Sequence, residues 1–184
     1  MAPRFERAKF KELVLYLAEK SAEDPLFGAT KLNKLLFFCD FLAYGQFGRS
    51  LTGARYQKLS HGPAPRQLLP VQRELEAEGA ASVQTRQFFN QVQKRLIALR
   101  PPNLALFTGE EVTLVNTLLD VLHRYNASDV SALSHLELGW QLADEGEDIP
   151  YETVFLAAPT LTPDDIEGGQ RLAQENGGIA AAKA

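Results

Sequence analysis

The sequence predicts an α+β domain with a mainly helical core and a small antiparallel sheet or hairpin at one edge. Three observations predict it. Apolar residues recur at helical spacing in several stretches, two stretches near residues 81–99 alternate with period two, and Gly/Pro clusters separate them. The 184 residues suit one domain of ordinary size, and the 45% hydrophobic content is that of a folded globular chain.

Phe10, Leu13, Val14 and Leu17 fall at i, i+3, i+4 and i+7, which predicts a helix over 4–20 that ends before Pro25. A second helix is predicted from Thr30 to Phe47. Leu32, Leu35, Leu36, Cys39, Leu42 and Ala43 form its core stripe, and Phe37, Phe38, Phe41 and Tyr44 widen the stripe nearly all the way round. A helix apolar on most faces belongs at the centre of the domain.

Residues 55–60 then read as a short strand, and His61-Gly62-Pro63-Ala64-Pro65 as a turn into a helix over 65–78 that Gly79 stops. Two strands follow, over 81–87 and 94–99, with 88–93 as the loop between them. Thr108 and Glu111 make a capping box for a helix with Val112, Val115, Leu119 and Leu122 on its apolar stripe. Asn126 or Ser128 caps a further helix expected to run to about Ala143, ahead of the acidic loop 144–148. Thr162-Pro163 predicts a last helix, and 176–184 a frayed tail. The domain is therefore expected over 1–160, with a C-terminal helix and tail over 161–184.

Charge is distributed unevenly. Residues 1–53 carry eight Lys/Arg and six Asp/Glu, residues 54–100 eight and three, and residues 101–184 three and fourteen. A polyanion would have to meet the middle block and avoid the acidic C-terminal part. The plainer reading is a basic surface packed beside an acidic one in the same fold. The lone Cys39 forms no internal disulfide, the charged start has no signal-peptide core, and no apolar run approaches a membrane span. A cytoplasmic protein with no membrane partner is expected.

Chemistry-bearing patterns are sparse. His61, His123 and His135 with one cysteine give no C-x-x-C or H-E-x-x-H spacing, so no metal or cofactor is expected. Cys39 lies on an apolar helical stripe, where a thiol behaves as a small hydrophobe. Ser134 and His135 are helical neighbours whose side chains diverge, and there is no G-x-S-x-G or P-loop lysine motif. Arg86, Lys94, Arg95 and Arg100 on the hairpin resemble the basic wing of a winged helix, but Glu74, Glu76 and Glu78 on the helix before it suit neither phosphate nor major groove.

Two segments go beyond generic patterning. The first runs Thr30-Lys31-Leu32-Asn33-Lys34-Leu35-Leu36-Phe37-Phe38-Cys39-Asp40-Phe41 and continues Gly48-Arg49-Ser50-Leu51-Thr52-Gly53-Ala54-Arg55-Tyr56 to Ser60-His61-Gly62-Pro63. The second is Leu133-Ser134-His135, then Trp140 and Ile149-Pro150-Tyr151. In this order they resemble the Panacea domain of the SocA-like antitoxin family of bacteria and phages, over about residues 4–157. The hairpin around 87–93 and the tail from Thr160 match no part of that pattern.

The resemblance implies an antitoxin, not an enzyme, that neutralises a cognate toxin by direct protein–protein contact. The toxin and the oligomeric state do not follow from it. It singles out Lys31, Lys34, Asp40, Tyr56, His61, Gly62, Pro63, Ser134, His135 and Trp140, as fold-specifying residues or as partner contacts. Two alternatives stand beside it: a winged-helix-like regulator that binds DNA, and a hydrolase using His61, His135 and Asp40.

Overall fold

The computed structural model describes residues 3–88 and 91–156. The predicted Thr162 helix and C-terminal tail lie outside the described residues.

Helix α1 (Arg7–Lys20) and helix α2 (Ala29–Phe47) form the heart of the core. Phe10, Leu13, Val14 and Leu17 of the predicted α1 stripe are completely buried. So are Leu32, Leu35, Leu36, Cys39 and Ala43 of the α2 stripe. Leu42 departs from it, at 48% exposure, because α2 meets the later helix Gly109–Leu122 over a groove at this position and not over a closed contact. Gly48 ends α2 at φ +71°, donating its N–H to the Tyr44 carbonyl at 2.9 Å.

Three two-residue strands make the edge sheet: β1 (Tyr56–Gln57), β2 (Ala64–Pro65) and, later in the chain, Asp148–Ile149, which is β5. Their order is β2-β1-β5, all antiparallel, with Tyr56 opposite both Pro65 and Ile149. The predicted strand over 55–60 thus shrinks to two residues. Part of the expected turn and of the expected acidic loop pairs with it instead.

Helix α3 (Leu68–Ala77) leads to the hairpin of β3 (Ala81–Phe88) and β4 (Gln91–Ala98), paired from Ala81↔Ala98 to Phe88↔Gln91. The strands extend further than the sequence predicts, since Gln91–Gln93 belong to β4 and not to a loop. Arg95 is also not a wing residue. It is buried, and its guanidinium donates to the carbonyls of Ser21 (2.6 Å), Ala22 and Asp24 (2.7 Å), pinning the turn between α1 and α2.

Helix α4 (Gly109–Leu122) opens on the predicted capping box. Thr108 Oγ1 accepts from the Glu111 N–H at 3.2 Å, and Glu111 Oε2 accepts from the Thr108 N–H at 2.9 Å. Glu111 also receives Lys9 Nζ at 2.8 Å and Arg49 at 2.6 Å, tying α4 to α1 and to the segment after α2.

The helix expected from Asn126 to Ala143 is two helices, α5 (Ala127–His135) and α6 (Leu138–Leu142). The break lies at Leu136–Glu137, where Glu137 turns extended. It seats buried Gly139 so closely that a Cβ there would lie 2.2 Å from Thr153 Oγ1 and 2.8 Å from Ile149 Cγ2. A 3₁₀ segment over Tyr151–Phe155 then packs back on α2. Among the described residues no helix is long and apolar enough to cross a membrane.

Candidate functional site

The singled-out residues form three polar knots inside the domain, each joining α2 to a different partner element. They do not converge on one cleft.

The first knot holds Lys31, which is 1% exposed. Its Nζ donates to Asp24 Oδ2 at 2.7 Å and to the His123 carbonyl at 3.2 Å, while Asp24 Oδ1 accepts from the Leu26 N–H at 2.8 Å. A buried ion pair of this kind needs its extra hydrogen bonds to offset desolvation, and here both partners have them. It locks the start of α2 to the α1–α2 turn and to the end of α4.

The second knot holds Asp40 and Tyr56, both buried. Asp40 Oδ1 accepts from the Thr52 N–H at 2.7 Å. Its Oδ2 lies 2.6 Å from Thr52 Oγ1 and 2.7 Å from the Tyr56 hydroxyl, which is also 2.8 Å from the Leu36 carbonyl. Burial pushes the Asp40 carboxyl up to about 6, and the Thr52 and Tyr56 hydrogen bonds pull it only part of the way back. Tyr56 sits edge-on to Phe37 and Phe41, at 5.6 Å from each, and the Tyr151 hydroxyl donates to the Ala54 carbonyl at 2.5 Å.

The third knot gathers the remaining residues. Buried Lys34 donates to the Pro63 carbonyl at 3.1 Å, and burial lowers its pKa to about 8. Gly62 turns at φ +97° directly over it, and Ser134, fully buried, donates to the Ser131 carbonyl at 2.7 Å. His135 stacks on Trp140, whose Nε1 donates to the Leu59 carbonyl at 3.2 Å and whose ring lies 4.5 Å from Lys58 Nζ. Burial, then the positive Lys34, pushes the His135 imidazole below the usual histidine range. Its Nε2 is buried without a hydrogen-bond partner. His61 is exposed at the rim, and its carbonyl accepts from Ser131 Oγ at 3.3 Å.

The hydrolase triad therefore does not assemble on the Asp40 side. Asp40 faces Thr52 and Tyr56, whereas His61 and His135 belong to the Lys34 knot. Among the described residues no group of three or more His, Cys, Asp or Glu could hold a metal ion.

Nor is the basic block of residues 54–100 a free cationic face. Arg55 and Arg66 both bond Asp148, at 2.8 and 2.5 Å, and Lys58 donates to the Ala143 carbonyl at 2.9 Å. Arg95 is buried, and Arg100 is bidentate to Glu12 at 2.6 and 2.8 Å. Three of the block's eight basic residues pair with acids elsewhere in the fold, and Lys58 and Arg95 are engaged by carbonyls, whereas Arg73, Arg86 and Lys94 are exposed.

The chain matches the family model of the antitoxin SocA-like Panacea domain over residues 32–141. It belongs to that family. The matched span runs from the α2 motif to α6 and contains nine of the ten singled-out residues; Lys31 lies one position before it. No curated protein and no solved structure matches the chain. In this Panacea domain the motif residues join α2 to the α1–α2 turn and the end of α4, to the Ser50–Ala54 link, and to the Gly62 turn beside α5–α6. Sequence reasoning missed the residues that those joints leave outside, above all Leu42 and Val121, which are 48% and 59% exposed. The signal was that α4 carries Leu114, Leu118 and Val121 beyond its predicted stripe; Leu118 reaches the core, where predicted Leu119 is only partly buried, and Leu114 and Val121 lie at its edge.

Proposed function

We propose that this chain is the antitoxin of a bacterial or phage-borne toxin–antitoxin pair, and that it neutralises its toxin by holding it in a direct complex in the cytoplasm. It acts as a binding protein and not as an enzyme. Membership of the SocA-like antitoxin family is the observation that carries this reading. The geometry supports it in one respect. Lys31, Lys34, Asp40, Tyr56, Gly62, Pro63 and Ser134 face inward and bind elements together. We assign them to the scaffold, together with the His135–Trp140 stack, and leave recognition to the exposed apolar surface that the scaffold presents. The engagement of Arg55, Arg66, Arg95 and Arg100 within the fold reduces the cationic surface open to a nucleic acid to a few residues such as Arg73, Arg86 and Lys94.

The test is to express the protein encoded by the adjacent reading frame alone and then together with this chain. The neighbour should arrest growth alone, this chain should restore growth, and the two proteins should co-purify with toxin transcript unchanged. Rescue that follows a fall in that transcript, without a complex, would replace this reading with transcriptional control.

A further inference from the structure

Helix α2 buries most of its circumference, yet Leu42 and Gly45 are exposed, and buried Phe38 and Phe41 lie beneath them. Phe38, Phe41, Leu42 and Gly45, at i, i+3, i+4 and i+7, form one wall and the floor of an open groove of about 1160 Å³. The opposite wall is α4, with Leu114, Leu118 and Val121. Two threonines on that wall turn their hydroxyls away. Thr113 Oγ1 donates to the Gly109 carbonyl at 2.8 Å and Thr117 Oγ1 to the Thr113 carbonyl at 2.9 Å, so both meet the groove as apolar surface. Val154 also lines the groove. A trough between two helices, apolar over two to three turns of each, is the shape into which a third helix packs.

The charged side chains of the groove carry one sign, beside the neutral Gln46. Glu110 and Glu137 both line it, and among the described residues neither carboxylate has a hydrogen-bond or ion-pair partner. Glu137 is half-buried, and that burial raises its pKa above the usual carboxylate range. An unpaired carboxylate held partly out of water is costly, and an incoming cation relieves the cost. The same sign argues against two other occupants. Residues 157–184 bring Asp164, Asp165, Glu167 and Glu175 against only Arg171 and Lys183. A second copy packed symmetrically would set the carboxylates against their own counterparts.

We propose that the groove between α2 and α4 is the docking site of the toxin, which lays an amphipathic helix into it and brings a lysine or arginine to Glu110 and Glu137. This rests on the antitoxin reading above and names the surface that reading requires.

The experiment uses the full chain and the purified product of the adjacent reading frame. Leu42→Asp and Val121→Asp change exposed side chains, so each variant should melt as the parent does. Each should weaken the toxin complex about thirtyfold or more, the scale of losing a central apolar anchor. Glu110→Lys with Glu137→Lys should weaken it about tenfold and flatten its salt dependence. A photo-cross-linker placed at Thr117 should capture the toxin. If the parent chain holds the toxin and these variants hold it equally well, the groove assignment is wrong and the antitoxin reading stands. If the parent chain does not hold it, both fail. Capture of residues 157–184 or of a second copy within the saturated complex would also overturn the assignment.

Discussion

His135 and Trp140 stack across the break between two helices, with ring centroids 4.0 Å apart and planes 15° from parallel. In an unbroken helix residues five apart point about 140° away from each other and could not meet. The break at Leu136–Glu137 and the stack therefore require one another. The indole also ties this corner to the segment after β1 through the Leu59 carbonyl and Lys58.

Trp140→Ala should destabilise the protein by about 2–4 kcal/mol, below the usual cost of emptying a fully buried site because Trp140 is only partly buried. Trp140→Phe keeps a ring for the stack and loses the Nε1 hydrogen bond, at a cost of about 1 kcal/mol. Urea denaturation of the two variants checks this. Equal losses would mean that the stack itself contributes nothing.

Gly62 combines a left-handed backbone, φ +97°, with no room for a side chain: a Cβ would lie 2.6 Å from Ser134 Oγ and 2.9 Å from Lys34 Nζ. Gly48 has the same handedness, φ +71°, and nothing within 4 Å. Gly48→Ala should therefore cost only the backbone term, about 1 kcal/mol. Gly62→Ala should cost about 3 kcal/mol, because it also displaces two buried polar groups. Thermal melts of both variants separate the terms, and similar losses would show that the Lys34 knot yields freely.

Asp40 makes stability depend on pH in the direction opposite to a salt-bridged carboxylate. Its folded pKa, about 6, lies above its ordinary 3.8. The folded state thus binds the proton more tightly than the unfolded chain. The associated stability is complete below about pH 4 and is lost as pH rises through about 6, some 3 kcal/mol in all. Asp40→Asn removes that dependence. Glu12, Glu111 and Asp148, whose pKa values are lowered, favour the folded state as pH rises, so the parent curve alone mixes both signs. The difference between parent and Asp40→Asn in chemical denaturation at pH 4, 5, 6 and 7 isolates Asp40. It should shift steadily towards the variant, and a flat difference would show that Asp40 stays ionised throughout.

The helical order and the Thr108–Glu111 cap were legible in the sequence because both rest on local spacing. The capping pair needs only four residues, and the α1 stripe only eight. What escaped depends on distant partners. Nothing local at Leu136–Glu137, neither proline nor glycine, announces the α5–α6 break, which arises from packing of Gly139 on Thr153. β1, β2 and β5 are two residues each and exist only by pairing. Arg95 alternates like a surface residue and is buried by carbonyls some seventy positions away. Leu42 repeats with the core stripe, and periodicity cannot distinguish a wall that faces core from one that faces an open groove. The motif residues of the candidate site were recognisable by order, but their division into three separate knots was not.

The central claim is that the chain silences its toxin by holding it, and the dose dependence of rescue tests that claim most directly. Both proteins would be quantified in cells while expression of this chain is raised stepwise against a fixed toxin level. Holding predicts that growth returns only as the chain reaches a fixed small-integer ratio to the toxin, with toxin abundance unchanged. Complete rescue by a small fraction of that amount, or rescue that tracks disappearance of the toxin, would contradict it.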